Sequence, residues 1–458
     1  MTMQETGTQP KTYDEAVAYL LDTPRFSSKH TVAETRELLH LLEDPDRGFP
    51  IVHVAGTNGK GSVSAYLGSI FEKLGWKTAL FTSPHLVDIR ERMVCGGREI
   101  TREEFLDAFT RVWEVCAGEG AKYGPPTFFE YLFLMAMVWF AKCGPDVCVL
   151  ETGLGGRLDA TNAVSGKAAA VITRIGLDHM QYLGETVSEI AGEKAGILMP
   201  GVPVFYADDV PEASQVISAR ARELGCPAFP FAQSALEDLR FSEKNIDFSL
   251  KTRYYGDVCL DAPTPARYQA RNIPLAVLCA EEILRQMGES DPEGVPAPEA
   301  VRKAFREGVS ACRWPARMEE LAPELYLDGG HNPDGIAAFL DTVRGDGKAH
   351  RSLLFGAVSD KQYEEMLGML TGSGLFERIF LTPLESGRSV SGEELRRLTG
   401  TTPKEGDAPA LCLCPDAEEG LSELLKEQKN GSRCYIVGSL YLAGEIRRII
   451  GRPEHDQL

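Results

Sequence analysis

The chain has 458 residues, of which 43% are hydrophobic and 25% charged, and its formal net charge at pH 7 is −19. This composition excludes a wholly disordered chain, and the length predicts two or three domains at about 100–200 residues each. The acidic balance argues against the broad basic surface that nucleic acid or an anionic membrane binds, although a few local basic side chains still permit a small anionic substrate.

Three features of the sequence bear on where the protein works. Residues 1–11 lack the basic start and the apolar core of a secretory signal, so we expect no export. The longest apolar stretch, 128–141, contains Glu130 and is shorter than the roughly 20 residues of a membrane span, which predicts a buried helix. The 11 cysteines are scattered without CxxC spacing, which favours neither a disulfide framework nor a zinc site. We therefore predict a cytoplasmic protein without membrane or nucleic-acid partners.

In the first two thirds of the chain, short apolar runs alternate with helix-length amphipathic segments, a pattern typical of a parallel α/β sheet. The predicted strands are Ile51–Ala55, Thr78–Phe81, Val147–Glu151, Ala169–Thr173 and Val204–Tyr206. The hydrophobic period changes between residues 236 and 260, which predicts antiparallel strands inserted in or added to the sheet. Helices are predicted at Ile273–Met287 and Pro298–Gly308.

A second, smaller α/β unit follows. Its predicted strands are Leu325–Leu327, Leu353–Phe355, Ile379–Leu381 and Tyr435–Val437, and its predicted helices lie around Gly335–Val343, Gln362–Leu370, Glu393–Leu398, Glu418–Lys426 and Leu440–Ile450. Trp314-Pro315 interrupts any helix. We therefore predict a linker at 312–316 between domains at 1–311 and 317–458.

A glycine-rich segment follows the first predicted strand and reads Gly56-Thr57-Asn58-Gly59-Lys60-Gly61-Ser62. Small residues allow several backbone N–H groups to turn towards phosphate oxygens, and a helix predicted to begin near Ser62 adds the positive end of its dipole. Lys60 would bring a mobile charge to the β- and γ-phosphates. The strict Walker pattern has Gly at the position of Val54 and Ser or Thr directly after Lys, so this is a variant. An ordinary glycine-rich turn is the alternative, but the strand, loop and helix context favours phosphate binding.

Polar residues lie where other predicted parallel strands end, and ligand sites in open α/β sheets lie at that edge. Glu151 closes one strand, and its carboxylate suits Mg²⁺, which prefers hard oxygen ligands. Asp178-His179 and Ser83 follow two other strands and could reach the same edge. The alternatives are a solvated loop acid for Glu151 and a structural hydrogen bond for His179.

Lys194 has apolar neighbours on the predicted helix 187–198, because the residues three and four places away are Ala191, Ile190, Ile197 and Leu198. The pattern predicts that Lys194 faces inward. A buried lysine is driven towards its neutral amine, which can react with CO₂ to give a carbamate that binds a second Mg²⁺. A lysine that extends to the surface is the alternative.

The second unit offers further polar residues at a strand end. Asp328 and His331 lie between a predicted strand and a helix that starts at Pro333. Arg317 follows the predicted linker and could reach phosphate charge, and Asn272 could hydrogen-bond a nucleotide base. Taken singly, each of these residues is more often structural than functional.

Together, these motifs resemble the folylpolyglutamate synthase/dihydrofolate synthase family, within the Mur ligase superfamily of ATP-dependent amide ligases. The resemblance covers nearly the whole chain. The motifs are GTNGKGS at Gly56–Ser62, TSPHL at Thr82–Leu86, FFEY at Phe128–Tyr131, ETGLGGRLDATN at Glu151–Asn162, GLDHM at Gly176–Met180, EKAGI at Glu193–Ile197, WPARME at Trp314–Glu319, LDGGHNPDG at Leu327–Gly335 and GSLYLAGE at Gly438–Glu445.

The resemblance implies an α/β fold with a P-loop-type, mostly parallel sheet in an ATPase domain and a smaller, Rossmann-like C-terminal glutamate-ligase domain. It also implies a reaction in which ATP phosphorylates a substrate carboxylate and the amine of L-glutamate attacks the acyl phosphate, giving an amide, ADP and phosphate. The carboxylate would belong to dihydropteroate, to a reduced folate through its γ-carboxylate, or to both. We expect the enzyme to act as a monomer.

The resemblance further implies roles for single residues. The residues with catalytic roles would be Lys60, Lys194, His331 and Arg317. The nucleotide would contact Gly56–Ser62, Asn272, Arg317 and Asp328. Two Mg²⁺ ions would be held by Ser83, Glu151, His179 and a carbamylated Lys194. The pterin-bearing substrate would lie by Thr127, Phe129 and Ala160, and the incoming glutamate by His331 and Ser439.

Three alternatives belong to other classes of protein. A Mur-type ligase acting on a peptidoglycan precursor would keep the phosphate loop, but it normally carries an N-terminal nucleotide-sugar domain, and the loop here begins near residue 56. A nucleotide-gated binding protein would show no glutamate-dependent ADP release. An NAD-dependent dehydrogenase is disfavoured because the GxGxxG spacing would need glycine at Leu158.

Overall fold

The computed structural model describes residues 9–23, 29–290, 296–400 and 409–451, and in these ranges the strands form three sheets. The strands are β1 (Ile51–Ala55), β2 (Thr78–Phe81), β3 (Met93–Cys95), β4 (Arg98–Glu99), β5 (Val147–Glu151), β6 (Lys167–Ile172), β7 (Val204–Ala207), β8 (Ala228–Phe231), β9 (Glu237–Phe241), β10 (Ile246–Lys251), β11 (Asp257–Ala262), β12 (Glu319–Ala322), β13 (Leu325–Leu327), β14 (Arg351–Phe355), β15 (Arg378–Leu381), β16 (Ala410–Leu413) and β17 (Arg433–Val437). The helices are α1 (Tyr13–Asp22), α2 (Val32–Leu41), α3 (Lys60–Lys73), α4 (Arg102–Ala117), α5 (Phe128–Cys143), α6 (Met180–Leu183), α7 (Val187–Ala195), α8 (Pro211–Glu223), α9 (Gln269–Ser290), α10 (Pro298–Ala311), α11 (Pro333–Arg344), α12 (Tyr363–Thr371), α13 (Gly392–Gly400), α14 (Ala417–Lys429) and α15 (Leu440–Ile450).

The largest sheet has the strand order β4-β3-β2-β5-β1-β6-β7-β8, and all of its pairs are parallel except those made by the β3–β4 hairpin. The central strand β1 lies between β5 and β6 and is buried along its whole length. After β1, the chain forms the strands on one side of it, β2 to β5, and then those on the other side, β6 to β8. The carboxyl end of β1 is therefore a point where the strand order reverses, which is where ligands bind in such sheets.

The predicted bounds of β1, β2 and β5 are confirmed, because strands buried on both faces are continuous apolar runs. The fourth predicted strand begins earlier, at Lys167, and ends at Ile172. The short hairpin of β3 and β4 was not predicted. Its turn residues Gly96 and Gly97 have φ values of 59° and 74°, as the tight turn requires.

The antiparallel strands predicted between residues 236 and 260 are confirmed, but their placement in the large sheet was wrong. β9, β10 and β11 form a separate three-stranded sheet. In β10, Ile246, Phe248 and Leu250 are buried and alternate with more exposed residues. One apolar face packs in the same core as α9 and α10, so the sheet needs no covering layer on its other face.

The apolar stretch at 128–141 forms α5, and its buried character is confirmed. Phe133, Phe140 and Trp139 are at most 2% exposed. Burial of each such side chain stabilises the fold by roughly 1.5–3 kcal/mol. Within the described ranges, no helix combines the length and the hydropathy that crossing a membrane requires.

The second unit contains a six-stranded sheet with the order β12-β13-β17-β14-β15-β16. Its strands are parallel except for β12, which pairs antiparallel with β13 at one edge. The edge strands β12 and β16 were not predicted. Helix α10 ends at Ala311 and β12 begins at Glu319, so the predicted linker at 312–316 lies between them. All eleven cysteines are free.

Candidate active site

The glycine-rich segment forms a tight loop between β1 and α3, which begins at Lys60, two residues earlier than predicted. Gly56 has φ 153°, and a Cβ there would lie 1.8 Å from Thr173 Oγ1. Gly59 has φ 98°, and its Cβ would lie 2.5 Å from Asn272 Oδ1. A side chain at Gly56 or Gly59 would therefore clash with Thr173 or Asn272 and displace the loop. The N-terminus of α3 provides a site for phosphate.

Two lysine side chains meet at the start of this loop. Lys60 Nζ donates to the carbonyl oxygen of Gly56 at 3.0 Å, and Lys194 Nζ donates to the same oxygen at 2.9 Å. Lys194 is 4% exposed, which confirms that it faces inward. Burial, followed by the charge of Lys60, lowers the pKa of Lys194 to about 7. Its carbamylation stays a prediction.

Glu151 lies at the carboxyl end of β5, next to β1. Its Oε2 accepts a hydrogen bond from the backbone N–H of Ser83 at 3.1 Å, so the ends of β2 and β5 meet as expected. Burial raises the pKa of Glu151 to about 6, although the charges of Lys60 and Arg317 oppose this. Ser83, Glu151 and the phosphate loop thus share one edge of the sheet.

The start of α9 supports the phosphate loop from the other side. Asn272 Nδ2 donates to Gln269 Oε1 at 2.8 Å, and Gln269 Nε2 donates to Ser62 Oγ at 3.2 Å. Thr57 Oγ1 lies 3.1 Å from both the N and the O of Gly176. Asn272 is therefore at the loop, within a chain of side-chain hydrogen bonds that ends at Ser62. Its contact with the nucleotide stays a prediction.

Four predicted site residues lie around the ends of β13 and β17 in the second unit, namely Arg317, Asp328, His331 and Ser439. Asp328 accepts hydrogen bonds from Tyr268, Met318 and Gly330, and burial raises its pKa. Arg317 lies against Gly329, because a Cβ on that glycine would be 2.5 Å from Arg317 Nη1.

His331 and Ser439 lie on two neighbouring loops of this unit. His331 Nδ1 is 2.8 Å from the carbonyl oxygen of Gly329, and the Gly438 N–H donates to the Gly330 carbonyl oxygen at 3.0 Å. This second bond brings Ser439 beside the loop that carries His331. Ser439 also caps α15 through its hydroxyl.

The two units meet across the phosphate loop. Asn58 Nδ2 donates to Asn332 Oδ1 at 3.1 Å and to Asp334 Oδ2 at 2.8 Å. Arg174, whose carbonyl oxygen accepts from the Thr57 N–H, also donates to Asp334 Oδ1 at 2.8 Å. The loop and the N-terminus of α11 are therefore joined directly.

A second bridge between the units surrounds Asp178. Lys361 donates to Asp178 Oδ1, and its Nζ lies 3.1 Å from His179 Nε2. Asn332 donates to Asp178 Oδ2 at 3.0 Å, and His331 Nε2 lies 3.9 Å from the same oxygen. Burial lowers the pKa of both His179 and His331 to about 4. Burial opposes ionisation of Asp178, but the charges of His331 and Lys361 still lower its pKa below the usual range.

Two of the predicted substrate residues, Phe129 and Ala160, belong to the apolar core on one face of the large sheet, whereas α3, which begins at Lys60, packs on the other face. Thr127 is buried and caps α5 by accepting from the Glu130 N–H. The ring of Phe129 packs against Gly153, where a Cβ would approach it to 2.6 Å. Ala160 is 2% exposed in a short turn that contacts α5.

Sequence reasoning missed the residues that bridge the units, namely Arg174, Asn332, Asp334 and Lys361. Lys361 carried the clearest signal, because it follows the carboxyl end of the predicted strand at Leu353–Phe355 in a polar loop.

No group of three or more His, Cys, Asp or Glu side chains in the described residues forms a ready metal cage. Mg²⁺ is usually held by one or two carboxylates together with waters and substrate phosphates, so its binding does not require such a cage.

Comparison with known proteins agrees with this geometry. The Mur ligase middle domain matches residues 54–280, and the Mur ligase glutamate ligase domain matches residues 316–440. The dihydrofolate synthase/folylpolyglutamate synthase of Bacillus subtilis (strain 168) is 32% identical over 449 residues, covering 95% of this chain and 98% of that protein. The chain belongs to the folylpolyglutamate synthase/dihydrofolate synthase family. The family resemblance of the motifs is thus confirmed.

Solved structures of this family share the fold. The folylpolyglutamate synthase of Mycobacterium tuberculosis complexed with ADP aligns over 96% of this chain and 98% of that chain, with a TM-score of 0.82 and 26% identity. FolC of E. coli in complex with DHPP and ADP aligns over 96% and 99%, with a TM-score of 0.80 and 25% identity. The predicted α/β fold class, with a P-loop-type parallel sheet and a smaller Rossmann-like unit, is confirmed.

Proposed function

We propose that this chain is an ATP-dependent ligase that joins the amine of L-glutamate to a carboxylate of dihydropteroate and/or to the γ-carboxylate of a reduced folate. ATP first phosphorylates the carboxylate, which releases ADP. The glutamate nitrogen then attacks the acyl carbon, the C–O bond to phosphate breaks, and the amide, phosphate and a proton are released.

One observation carries the proposal. The amines of Lys60 and Lys194 converge on Gly56 beside the Glu151 carboxylate, and Asn58 of the same loop is joined to the second unit. A site shared by two units can close over a triphosphate and an acyl phosphate, which water would otherwise hydrolyse. Family membership over nearly the whole chain supports this reaction.

The phosphoryl transfer requires charge neutralisation and alignment, which basic side chains supply. Lys60 leaves the Gly56 carbonyl to reach the β- and γ-phosphates, and Arg317 approaches the transferred group from the second unit. Residues 56–62 hold the triphosphate, while Asn272 and Asp328 contact the rest of the nucleotide.

His331 has the protonation state needed to receive an amine. Its Nδ1 must carry a hydrogen, because the Gly329 carbonyl oxygen at 2.8 Å only accepts. Burial lowers its pKa to about 4, so the ring is neutral at pH 7 and Nε2 is an acceptor. We assign Nε2 the task of orienting the incoming glutamate amine, with Ser439 beside it.

Magnesium fits the donors at this edge of the sheet. Within the described chain, the Glu151 carboxylate accepts one hydrogen bond, so lone pairs remain for a cation and its waters. Ser83, Glu151, His179 and Lys194 would hold two Mg²⁺ ions. Bound Mg²⁺ neutralises phosphate charge during phosphoryl transfer.

The environment of Lys194 supports the carbamate. A pKa of about 7 leaves a large share of the amine neutral at physiological pH. The neutral amine forms an N–C bond with CO₂ and releases a proton, which gives an anionic oxygen ligand. The burial of Lys194, which lowers its pKa, also keeps bulk water away from the amine.

We assign Thr127, Phe129 and Ala160 to the pterin-bearing substrate. Phe129 packs against Gly153, two residues after Glu151, and the turn with Ala160 contacts α5, which Thr127 caps. Since one chain supplies all of these groups, we propose a monomer. The free cysteines fit the reducing cytoplasm, where we place the enzyme. The domain assignment, 1–311 and 317–458 with a linker at 312–316, is retained.

The alternatives are not favoured. A ligase for peptidoglycan precursors and a nucleotide-gated binding protein both disagree with relatives that are named as folate ligases and that align over 95% of the chain. An NAD-dependent dehydrogenase is not favoured either, because the loop at 56–62 lacks the GxGxxG spacing of a dinucleotide site.

Steady-state ADP release with ATP, L-glutamate and either dihydropteroate or tetrahydrofolate tests the proposal. We expect ADP release that depends on glutamate with at least one of the two substrates. Reactions without glutamate are the control. Equal ADP release with and without glutamate, or none at all, would contradict ligase activity.

A further inference from the structure

A buried polar chain runs from the middle of β1 to the turn that contains Ala160. The ring of His53 is fully buried, and its Nε2 lies 2.9 Å from Thr161 Oγ1. Thr161 Oγ1 donates to Asp159 Oδ1 at 2.5 Å. Thr161 and Asp159 are 0% and 1% exposed, so bulk water does not compete with these bonds.

The direction of each hydrogen bond in this chain is determined. Thr161 has one hydroxyl proton, and the Asp159 carboxylate takes it because a carboxylate only accepts. His53 must therefore donate from Nε2. Burial, with the charge of Lys167, lowers the pKa of His53 well below its ordinary value, so the ring stays neutral. Its Nδ1 has no hydrogen-bond partner among the described residues.

The Asp159 carboxylate also binds the backbone of a loop at the candidate active site. Besides the Thr161 hydroxyl, it accepts from the N–H of Leu154 at 2.9 Å and from the N–H of Thr161 at 3.1 Å. Leu154 belongs to the segment directly after Glu151. One carboxylate thus holds both ends of the loop 154–161.

Ala160, near the end of this loop, lies in the apolar core that contains α5, whereas α3, which begins at Lys60, lies in the core on the other face of the large sheet. In the middle of the loop, the Arg157 N–H donates to the carbonyl oxygen of Glu193 in α7 at 2.7 Å. Because the proposed function assigns the phosphate loop to ATP and Ala160 to the pterin-bearing substrate, the loop 154–161 borders that substrate. Gly153, directly before the loop, packs on Phe129. An apolar side chain at position 53 would fill the same space without burying an unpaired ring nitrogen, which costs free energy. The hydrogen bond from Nε2 to Thr161 therefore gives a reason for histidine, and not an apolar residue, at position 53.

We propose that His53 and Thr161 are positioning residues for the pterin-bearing substrate: they hold the loop 154–161 in the shape that this substrate binds, and they do not act on ATP. This inference rests on the proposed function for the identity of the substrate. Neither residue touches a reacting atom, and both act through Asp159.

A matched pair of variants tests the hydroxyl. Thr161→Val removes it at nearly constant volume, whereas Thr161→Ser keeps it. We expect Thr161→Val to weaken the binding of dihydropteroate and to raise its KM by about tenfold, because a buried acceptor loses its donor. Thr161→Ser should stay within about twofold of wild type, and both variants should bind a nonhydrolysable ATP analogue normally. Isothermal titration calorimetry and steady-state kinetics give these values.

A second pair tests the imidazole and covers a failure of Thr161→Val to fold. His53→Gln places an amide donor near the position of Nε2, whereas His53→Leu has no donor. We expect Gln to restore dihydropteroate binding and Leu to weaken it by about tenfold. Equal dihydropteroate affinities within each folded pair, or a parallel loss of affinity for the ATP analogue, would overturn the inference.

The calorimetry separates this inference from the proposed function. A wild-type chain that binds dihydropteroate without glutamate-dependent ADP release contradicts the ligase, while the two pairs still decide the role of His53 and Thr161. A wild-type chain that binds neither dihydropteroate nor tetrahydrofolate overturns both.

Discussion

Lys361 Nζ lies 3.1 Å from His179 Nε2 although 182 positions separate the two residues in the chain. The same ammonium group donates to Asp178, and the side chains of Lys361 and Asp178 are only 9% and 8% exposed. A buried charge whose partner is removed costs about 3–5 kcal/mol. Removal of Lys361 alone would therefore leave Asp178 as a buried charge without its ammonium partner at the contact between the two units.

Lys361→Met should weaken the closed arrangement of the units, because Asp178 loses its ammonium partner. We expect a larger radius of gyration by small-angle scattering and a loss of kcat/KM of about tenfold or more. Lys348→Met is the control, since Lys348 pairs with Glu324 inside the second unit. If both variants kept the wild-type radius and activity, the bridge would have no role in closure.

Lys60→Ala should abolish ligation with both dihydropteroate and reduced folate. The variant lacks the charge that reaches the transferred phosphate, so we expect turnover to fall by about a hundredfold or more. Glutamate-dependent ADP release measures this. Lys73→Ala, at the other end of α3, is the control. Unchanged turnover in Lys60→Ala would remove the proposed mechanism.

Lys194→Ala should lose activity and regain part of it when short carboxylic acids are added, because a small carboxylate can replace the carbamate oxygens. Lys167→Ala provides a matched control. Burial lowers the pKa of Lys167 to about 7 as well, but its Nζ donates to Asn162 Oδ1 at 2.6 Å and to the Ile197 carbonyl oxygen at 2.8 Å. We expect no rescue of that variant. A complete lack of rescue in Lys194→Ala would count against the carbamate.

Glu151→Gln should weaken metal binding in the presence of a nonhydrolysable ATP analogue, since an amide is a poorer ligand than a carboxylate. Mn²⁺ can be followed by electron paramagnetic resonance, and we expect an affinity loss of about tenfold or more. Glu237→Gln, at an exposed position of β9, serves for comparison. Equal Mn²⁺ affinities in the two variants would exclude Glu151 from the metal site.

His53 should make the protein less stable in acid. Its pKa is about 6.5 when unfolded and far lower when folded, so the unfolded chain binds more protons below that pH. The contribution is constant above about pH 6.5, and the free energy of unfolding falls by up to about 1.4 kcal/mol per pH unit below it. Denaturant unfolding of wild type and His53→Gln between about pH 7 and pH 5 measures the difference. Identical slopes would mean that the folded imidazole accepts a proton.

Much of the site was predictable because its signals are local. The phosphate loop is one short segment whose small residues and lysine are adjacent in sequence. Lys194 was predicted to face inward because its helical neighbours are apolar, and its 4% exposure agrees. Glu151 follows a continuous apolar strand, so its place at the sheet edge followed from the strand alone.

The contacts between the units had no such local signal. Asn58 meets Asn332, and Asp178 meets Lys361, only because the two units pack with the carboxyl ends of their strands facing each other. The separation of β9 to β11 from the large sheet likewise depended on which face α9 and α10 covered. His53 appeared in sequence as one polar residue in an apolar strand.

The amino-acid sequence by itself determined the inner strands of both parallel sheets, the phosphate loop and the family, since each depends on residues that are neighbours along the chain. Only the tertiary structure decided the partners of His53, Asp178 and Asn58. A buried polar group must find a hydrogen-bond partner, but the order of the strands and the docking of the two units determine which residue comes within reach.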